Sequence, residues 1–188
     1  MRVNIVVARY NEDVEWTRQF SNVIIYNKGE KLNGDYNEVM LSNYGREGHT
    51  YYTYISENYE NLGDYTVFVQ GKPFDHSPNI LSNLRRYIDD QTLNIDFAFL
   101  SEDVISCDST GNPQHPGLPL LEIYEKLFNK TKDDTRFVFG AGAQFIVSKK
   151  KILNKPKEFY QKIVELLQYH NHPVEGFVIE RMHKYIFE

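Results

Sequence analysis

The chain has 188 residues, with 21 Lys and Arg against 26 Asp and Glu and a formal net charge of −5. This length fits one domain, residues 1–188, and 41% apolar with 14% aromatic residues excludes intrinsic disorder. The mild acidity argues against a role on bulk nucleic acid, whose phosphates need clustered Lys and Arg, and leaves small anionic ligands open.

Strand and helix signals alternate along the chain. Met1 to Ala8 is a short apolar run rich in β-branched residues, which reads as a strand buried on both faces and not as a signal peptide. Asn11-Glu12-Asp13 caps a short helix through Trp16 to Gln19, and Val23 to Tyr26 is a second strand closed by Asn27-Lys28-Gly29. A polar loop around Asn33-Gly34-Asp35 follows. The spacing of Tyr51, Tyr52, Ile55, Tyr59 and Leu62 then predicts a one-sided helix from about Glu47 to Glu60.

Tyr65 to Gln70 is a third strand, and Gly71 to His76 the turn that leaves it. Ser77-Pro78 reads as an N-cap with proline at the first helical position, opening a helix to about Asp90. Ile95 to Leu100 is a fourth strand. Ser101 to Pro119, with three prolines and two glycines, reads as the longest loop. It contains Cys107, the only cysteine, so neither an intramolecular disulfide nor a cysteine zinc site forms. Leu120, Tyr124 and Leu127 mark a helix, and Arg136 to Phe139 and Gln144 to Ser148 are strands flanking Gly140-Ala141-Gly142-Ala143. Pro156 to His170 is an amphipathic helix. A last helix after Pro173 turns Val178, Met182, Tyr185 and Ile186 inward. No run reaches the ~18 apolar residues of a transmembrane helix, and the expectation is a soluble cytoplasmic protein.

Such alternation implies an α/β fold with a mostly parallel central sheet flanked by helices. Ligands of these sheets bind beyond the carboxyl ends of the strands. The residues expected there are Ala8, Arg9, Tyr10 and Asn11, then Lys28, then Gln70 to His76, then Gly140 to Gln144. Neither dinucleotide nor P-loop fingerprints occur, nor a nucleophile elbow, which disfavours those enzyme classes. In Arg9-Tyr10-Asn11 a ring can stack on a base and an amide can read its edge; the same residues also serve as an ordinary helix cap. Asp75-His76 offers an oxygen and an imidazole suited to a divalent ion, or else a cap beside an exposed histidine. Arg46 and His49 open a helix whose free N–H groups suit an anion, or form a solvated first turn. Gly142 and Ala143 permit close backbone approach to a ligand, or make a tight turn. Glu175 and Glu180 lie roughly 140° apart around a helix, so only one of them can serve as a base in a given pocket, with Arg181 as a partner.

The ordered set of segments carries a resemblance. Val-Ala-Arg-Tyr-Asn-Glu-Asp (7–13), Ile-Tyr-Asn-Lys-Gly (25–29), Gly-Arg-Glu-Gly-His-Thr-Tyr (45–51), Val-Phe-Val-Gln-Gly-Lys-Pro-Phe-Asp-His (67–76) and Phe-Gly-Ala-Gly-Ala-Gln-Phe-Ile-Val-Ser (139–148) are similar to a widespread, long uncharacterised family. That family is related to glycosyltransferases of the GT-A fold and resembles the capsid-glycosylating domain of large algal viruses. The resemblance implies a GT-A-like domain that transfers a sugar, from a UDP-sugar by preference, to a glycan or glycoprotein acceptor with inversion. For a viral member the setting is host cytoplasm and capsid glycan synthesis.

Carried over, Ala8, Arg9, Tyr10, Asn11 and Lys28 hold the nucleotide, and Gly142 and Ala143 lie beside sugar and acceptor. Asp75 stands near the usual metal-binding Asp-x-Asp, and Glu175 or Glu180 is the base. The implied ion is Mn²⁺ or Mg²⁺, with His76 and His183 as further ligands. The chain departs from the family at Gln70-Gly71-Lys72, which replaces Asp-x-Asp, and at His183, where relatives often have a Trp. Two rival readings are a metal-dependent phosphoester or nucleotide hydrolase using Asp75, His76 and His49, and a non-catalytic carbohydrate-binding module on the same fold.

Overall fold

The computed structural model describes all residues from Met1 to Glu188. Its centre is a six-stranded sheet in the order β3-β2-β1-β4-β10-β5. These strands are β1 (Val3–Arg9), β2 (Val23–Asn27), β3 (Glu38–Met40), β4 (Tyr65–Gln70), β5 (Phe97–Phe99) and β10 (Phe145–Ser148). Strands β1 to β4 pair in parallel, whereas β10 is antiparallel to both neighbours, β4 and β5. The sheet is therefore mixed, where alternation alone pointed to a mostly parallel one. The reversal arises because the chain leaves β5 on a long excursion and returns at the same end of the sheet, so that β10 runs back between β4 and β5.

The buried runs of β1 and β4 split their side chains between two faces, as a pleat requires. Val6, Phe68, Phe145 and Val147 face one core, and Ile5, Val7, Val67, Val69 and Ile146 face the other. Helices α1 (Arg46–Asn58), α3 (Leu120–Phe128), α5 (Lys157–Leu167) and α6 (Val174–Phe187) contribute to the first core. Helix α2 (Ile80–Asp89), with Ile80 and Leu84, covers the second, and α4 (Lys149–Ile152) is a single turn after β10. Helix α1 is not one-sided as its spacing implied. Every residue from Gly48 to Ser56 is buried, because α5, α6 and the sheet pack around it.

Two local expectations change. Helix α2 begins at Ile80 and not at Pro78; the Ser77 hydroxyl instead donates to the Leu100 carbonyl and accepts from the Gln144 amide, both over 2.9 Å. The segment between Ser101 and Pro119 is also no simple loop. It holds β6 (Val104–Cys107), which pairs antiparallel with β9 (Phe137–Gly140), and a small hairpin of β7 (Gly111–Asn112) and β8 (His115–Pro116). Strand β9 thus lies outside the main sheet, and the 140–144 turn carries the chain from one sheet to another. No helix is long and apolar enough to cross a membrane.

Candidate functional site

The carboxyl ends of β1, β2 and β4 open onto two adjoining clefts. The first, of about 480 Å³, is lined by Ala8, Arg9, Tyr10, Lys28, Lys72 and Asp75 among others. The second, of about 640 Å³, is lined by His76, Asp103, His115, Gly142, Phe177 and Glu180 among others. Arg46 and Gln70 line both. The strand ends named from the sequence line these clefts, with Ala8 and Gln70 as register partners at the ends of β1 and β4.

Within the first cleft the groups differ in how free they are. Arg9 is buried, and its guanidinium is committed to Asn27 Oδ1, the Glu30 carbonyl and the Glu12 carbonyl over 2.8–2.9 Å. It braces the two strand-end loops. Asn11 does similar work, accepting the Glu30 N–H over 2.8 Å, and it does not line the cleft. Gly29 lets these loops touch, since a Cβ there would fall 1.4 Å from the Tyr10 carbonyl oxygen. Tyr10 is 52% exposed and lines the opening.

Lys28 donates to the Tyr44 and Arg46 carbonyls at the start of α1. Burial pushes its proton affinity down to about 7, with Glu47 pulling the other way. Arg46 begins α1 with φ +53°, and its guanidinium lies 4.4 Å from the centre of the Phe177 ring. Lys72 pairs with Asp75 over 3.3 Å. Lys28, Arg46 and Lys72 line this opening together with the carboxylates of Glu12, Glu47 and Asp75, and Lys28 is only about half charged at neutral pH. His49 adds no charge to them. It turns inward, its Nδ1 has no partner, and burial lowers its pKa to about 4.

The second cleft is centred on Glu180. One oxygen accepts the Gly142 N–H over 3.0 Å and the other accepts from Arg181 over 2.8 Å. Burial raises the carboxyl's proton affinity, and Glu47 adds to this against Arg181. A carboxylate has about four lone-pair sites, so Glu180 can still accept a further hydrogen bond. Gly142 adopts φ +79°, and a Cβ there would fall 2.7 Å from the His76 ring. His76 Nδ1 lies 3.2 Å from Asp103 Oδ2. Ala143 is buried beside this turn and lines neither cleft. Glu175 also lies outside both, its carboxylate accepting the Tyr169 hydroxyl.

The three residues expected as metal ligands do not assemble. Asp75 belongs to the first cleft and His76 to the second. His183 is 2% exposed in the aromatic core, bonded to the Tyr52 hydroxyl over 2.8 Å and 4.6 Å from the Phe145 ring centre. No group of three or more His, Cys, Asp or Glu side chains converges anywhere in the chain. The side chains present do not fit a protein-held divalent ion, because such ions need several hard ligands on one centre.

Sequence reasoning passed over Glu47, Asp103 and the hairpin residues Asn112, Gln114 and His115. Glu47 had a signal, standing beside Arg46 at the helix start. The others lay in a segment whose prolines and glycines hid its short strands.

These features define a mixed α/β protein with a polar, two-part cleft at its strand ends. The chain belongs to the family described as Protein of unknown function (DUF3431), which matches residues 5–96 and 101–188. No curated protein and no solved structure matches it.

Proposed function

We propose that the chain is a glycosyltransferase that takes a sugar from a nucleotide-diphosphate donor, a UDP-sugar by preference, and passes it with inversion to a glycan or glycoprotein. One observation carries this reading. A cleft lined by Lys28, Arg46 and Lys72, alongside the carboxylates of Glu12, Glu47 and Asp75, shares Arg46 and Gln70 with a neighbouring cleft that holds the largely buried carboxylate of Glu180. The resemblance to GT-A-fold transferases in the segments around Arg9, Lys28 and Gly142 agrees with that arrangement.

In this reading the nucleotide enters the first cleft and stacks its base on Tyr10; stacking of this kind is worth about 1–3 kcal/mol. The three cationic side chains neutralise the charge that builds on the departing diphosphate, the role given to fixed positive groups at developing oxyanions. Glu180 accepts the proton of the attacking hydroxyl, and its raised proton affinity makes it a stronger base than a surface carboxylate. Between the two glutamates expected to compete for this role, Glu180 is the one that lines a cleft. Because Asp75, His76 and His183 do not share a centre, no step is assigned to a metal.

The test is melting-temperature measurement of the purified chain with UDP, GDP, CMP and dTDP, each with and without Mn²⁺, followed by assay of nucleotide release from the matching nucleotide sugars. Binding to the folded state raises the melting temperature in step with occupancy. A rise with one nucleotide diphosphate, and release of that nucleotide from its sugar conjugate, supports the reading. Absence of both overturns it, and glycan binding without nucleotide binding favours a carbohydrate-binding module.

A further inference from the structure

The second cleft has walls of opposite hydrogen-bonding character. One wall is the β7–β8 hairpin, fastened to α6 by Arg181, which is only 1% exposed. Arg181 Nη2 reaches Asn112 Oδ1 over 3.2 Å and His115 Nδ1 over 3.1 Å. The His115 ring also packs on Phe177 at 4.2 Å. A guanidinium only donates, so His115 Nδ1 is the accepting nitrogen, and the hydrogen of the neutral ring sits on Nε2. Burial and the nearby Arg181 and Arg46 hold the ring neutral by lowering its proton affinity. Gln114 Oε1 accepts from the Asn112 amide over 2.9 Å, which leaves the Gln114 NH₂ group as a donor. This wall therefore offers N–H groups.

The other wall offers oxygens, from the exposed carboxylates of Glu102 and Asp103. Glu180 adds a third negative group, and the guanidinium nearest to it, that of Arg181, is already spent on Glu180 and the hairpin. Val104, 53% exposed, adds an apolar edge. Donors on one side, acceptors on the other and a small apolar surface match the hydroxyls and C–H faces of a sugar ring. Three carboxylates face two guanidiniums here, those of Arg181 and of Arg46, which also lines this cleft, and the excess negative charge disfavours a sugar that itself carries a carboxylate, sulfate or phosphate, since like charges brought together cost affinity.

We infer that the second cleft is the acceptor subsite, that it takes an uncharged saccharide, and that Gln114 and His115 on the hairpin select which hydroxyls fit. This rests on the reading of the chain as a nucleotide-sugar transferase. The bond changes are those of that reading. The acceptor O–H gives its proton to Glu180, its oxygen bonds to the anomeric carbon, and the carbon–oxygen bond to the diphosphate breaks with its electron pair on the diphosphate.

The test uses the full chain and a panel of neutral oligosaccharides, their uronic-acid counterparts and sugar phosphates, measured by saturation-transfer NMR. UDP affinity is read on the same samples. Neutral sugars are expected to bind and charged ones to fail. Gln114→Ala and His115→Ala should each weaken the neutral acceptor about tenfold, the worth of one lost hydrogen bond, with the melting temperature confirming the fold. Glu102→Gln with Asp103→Asn should admit the uronates. Equal binding of charged and neutral sugars overturns the inference, as does an acceptor affinity indifferent to both hairpin substitutions while UDP still binds. Saccharide binding that depends on Gln114 without any nucleotide binding keeps the subsite and overturns the transferase reading. No binding of either overturns both.

Discussion

Glu180 accepts the backbone N–H of Gly142 over 3.0 Å, which joins the last helix to the turn before β10 at the floor of the second cleft. The turn has no room for a side chain, because the His76 ring fills the space where a Cβ would stand and the backbone there has φ +79°. Gly142→Ala should therefore displace His76, loosen the hydrogen bond to Glu180 and lower turnover, by about 10²-fold, with smaller changes in nucleotide affinity. On the proposed reading Glu180→Gln keeps the shape and removes the base, so turnover should fall by about 10²–10⁴-fold. Steady-state kinetics beside nucleotide titrations separate the two. Unchanged turnover in Glu180→Gln would remove this residue from the chemistry.

Lys28 supplies a pH signature. Its pKa of about 7 in the free protein means that it is largely charged below that pH and largely neutral above it. On the proposed reading a bound nucleotide sugar, whose diphosphate is fully ionised, favours the ammonium form and raises the pKa again. Binding at pH 8 should thus take up close to one proton, while binding at pH 6 should take up almost none. Calorimetry in buffers of different ionisation enthalpy measures this uptake. Lys28→Met should abolish the uptake and weaken the diphosphate at pH 6 by at least tenfold.

His183 and His49 govern acid stability. Burial lowers their pKa values to about 3 and about 4, below the ordinary histidine value of about 6.5. The unfolded chain therefore binds more protons than the folded one between those limits, and stability falls as pH drops through that window. Above pH 7 both states are neutral and the effect vanishes. His183→Phe should flatten the decline between pH 6 and pH 4 in urea titrations. At neutral pH it should cost about 1–3 kcal/mol for the Tyr52 hydroxyl left without its partner. The same substitution should leave any effect of added Mn²⁺ unchanged, because the imidazole is sealed in the core.

Arg181 binds Glu180, the Phe177 carbonyl, Asn112 and His115 at once, and it lies 4.3 Å over the Phe139 ring. Arg181→Met should cost about 3–5 kcal/mol, the penalty for stranding one partner of a buried ion pair. Arg181→Lys should recover only part of this, since a point ammonium cannot span the fork of contacts. Chemical denaturation measures both losses, and equal stability of the Lys and Arg forms would show that the fork is idle.

The parts legible in the sequence are those written in long periodic patterns. The apolar runs of β1, β2 and β4 located the sheet, and the rule that ligands meet strand ends found Ala8, Lys28, Gln70 and Gly142 around one mouth. The reversed entry of β10 was hidden, because four buried residues read the same in either direction. So were β6, β7 and β8, at two to four residues each. His183 illustrates a different limit. The resemblance offered it as a metal ligand, yet α6 is packed on several sides and carries the imidazole into an aromatic cluster. Identity alone cannot distinguish an inward histidine from a ligand, and the choice is made by what packs around it.

The backbone N–H of Leu100, just past β5, bonds to the Gln144 carbonyl, just before β10, over 2.9 Å. The excursion through residues 101–143 therefore departs and returns at a single doorstep, like a drawer fitted into a cabinet. Its inner side chains are tied into the main core through α3 and β9, but none of them lines the first cleft, so changes to its outer loops reshape the second cleft and leave the first as it is.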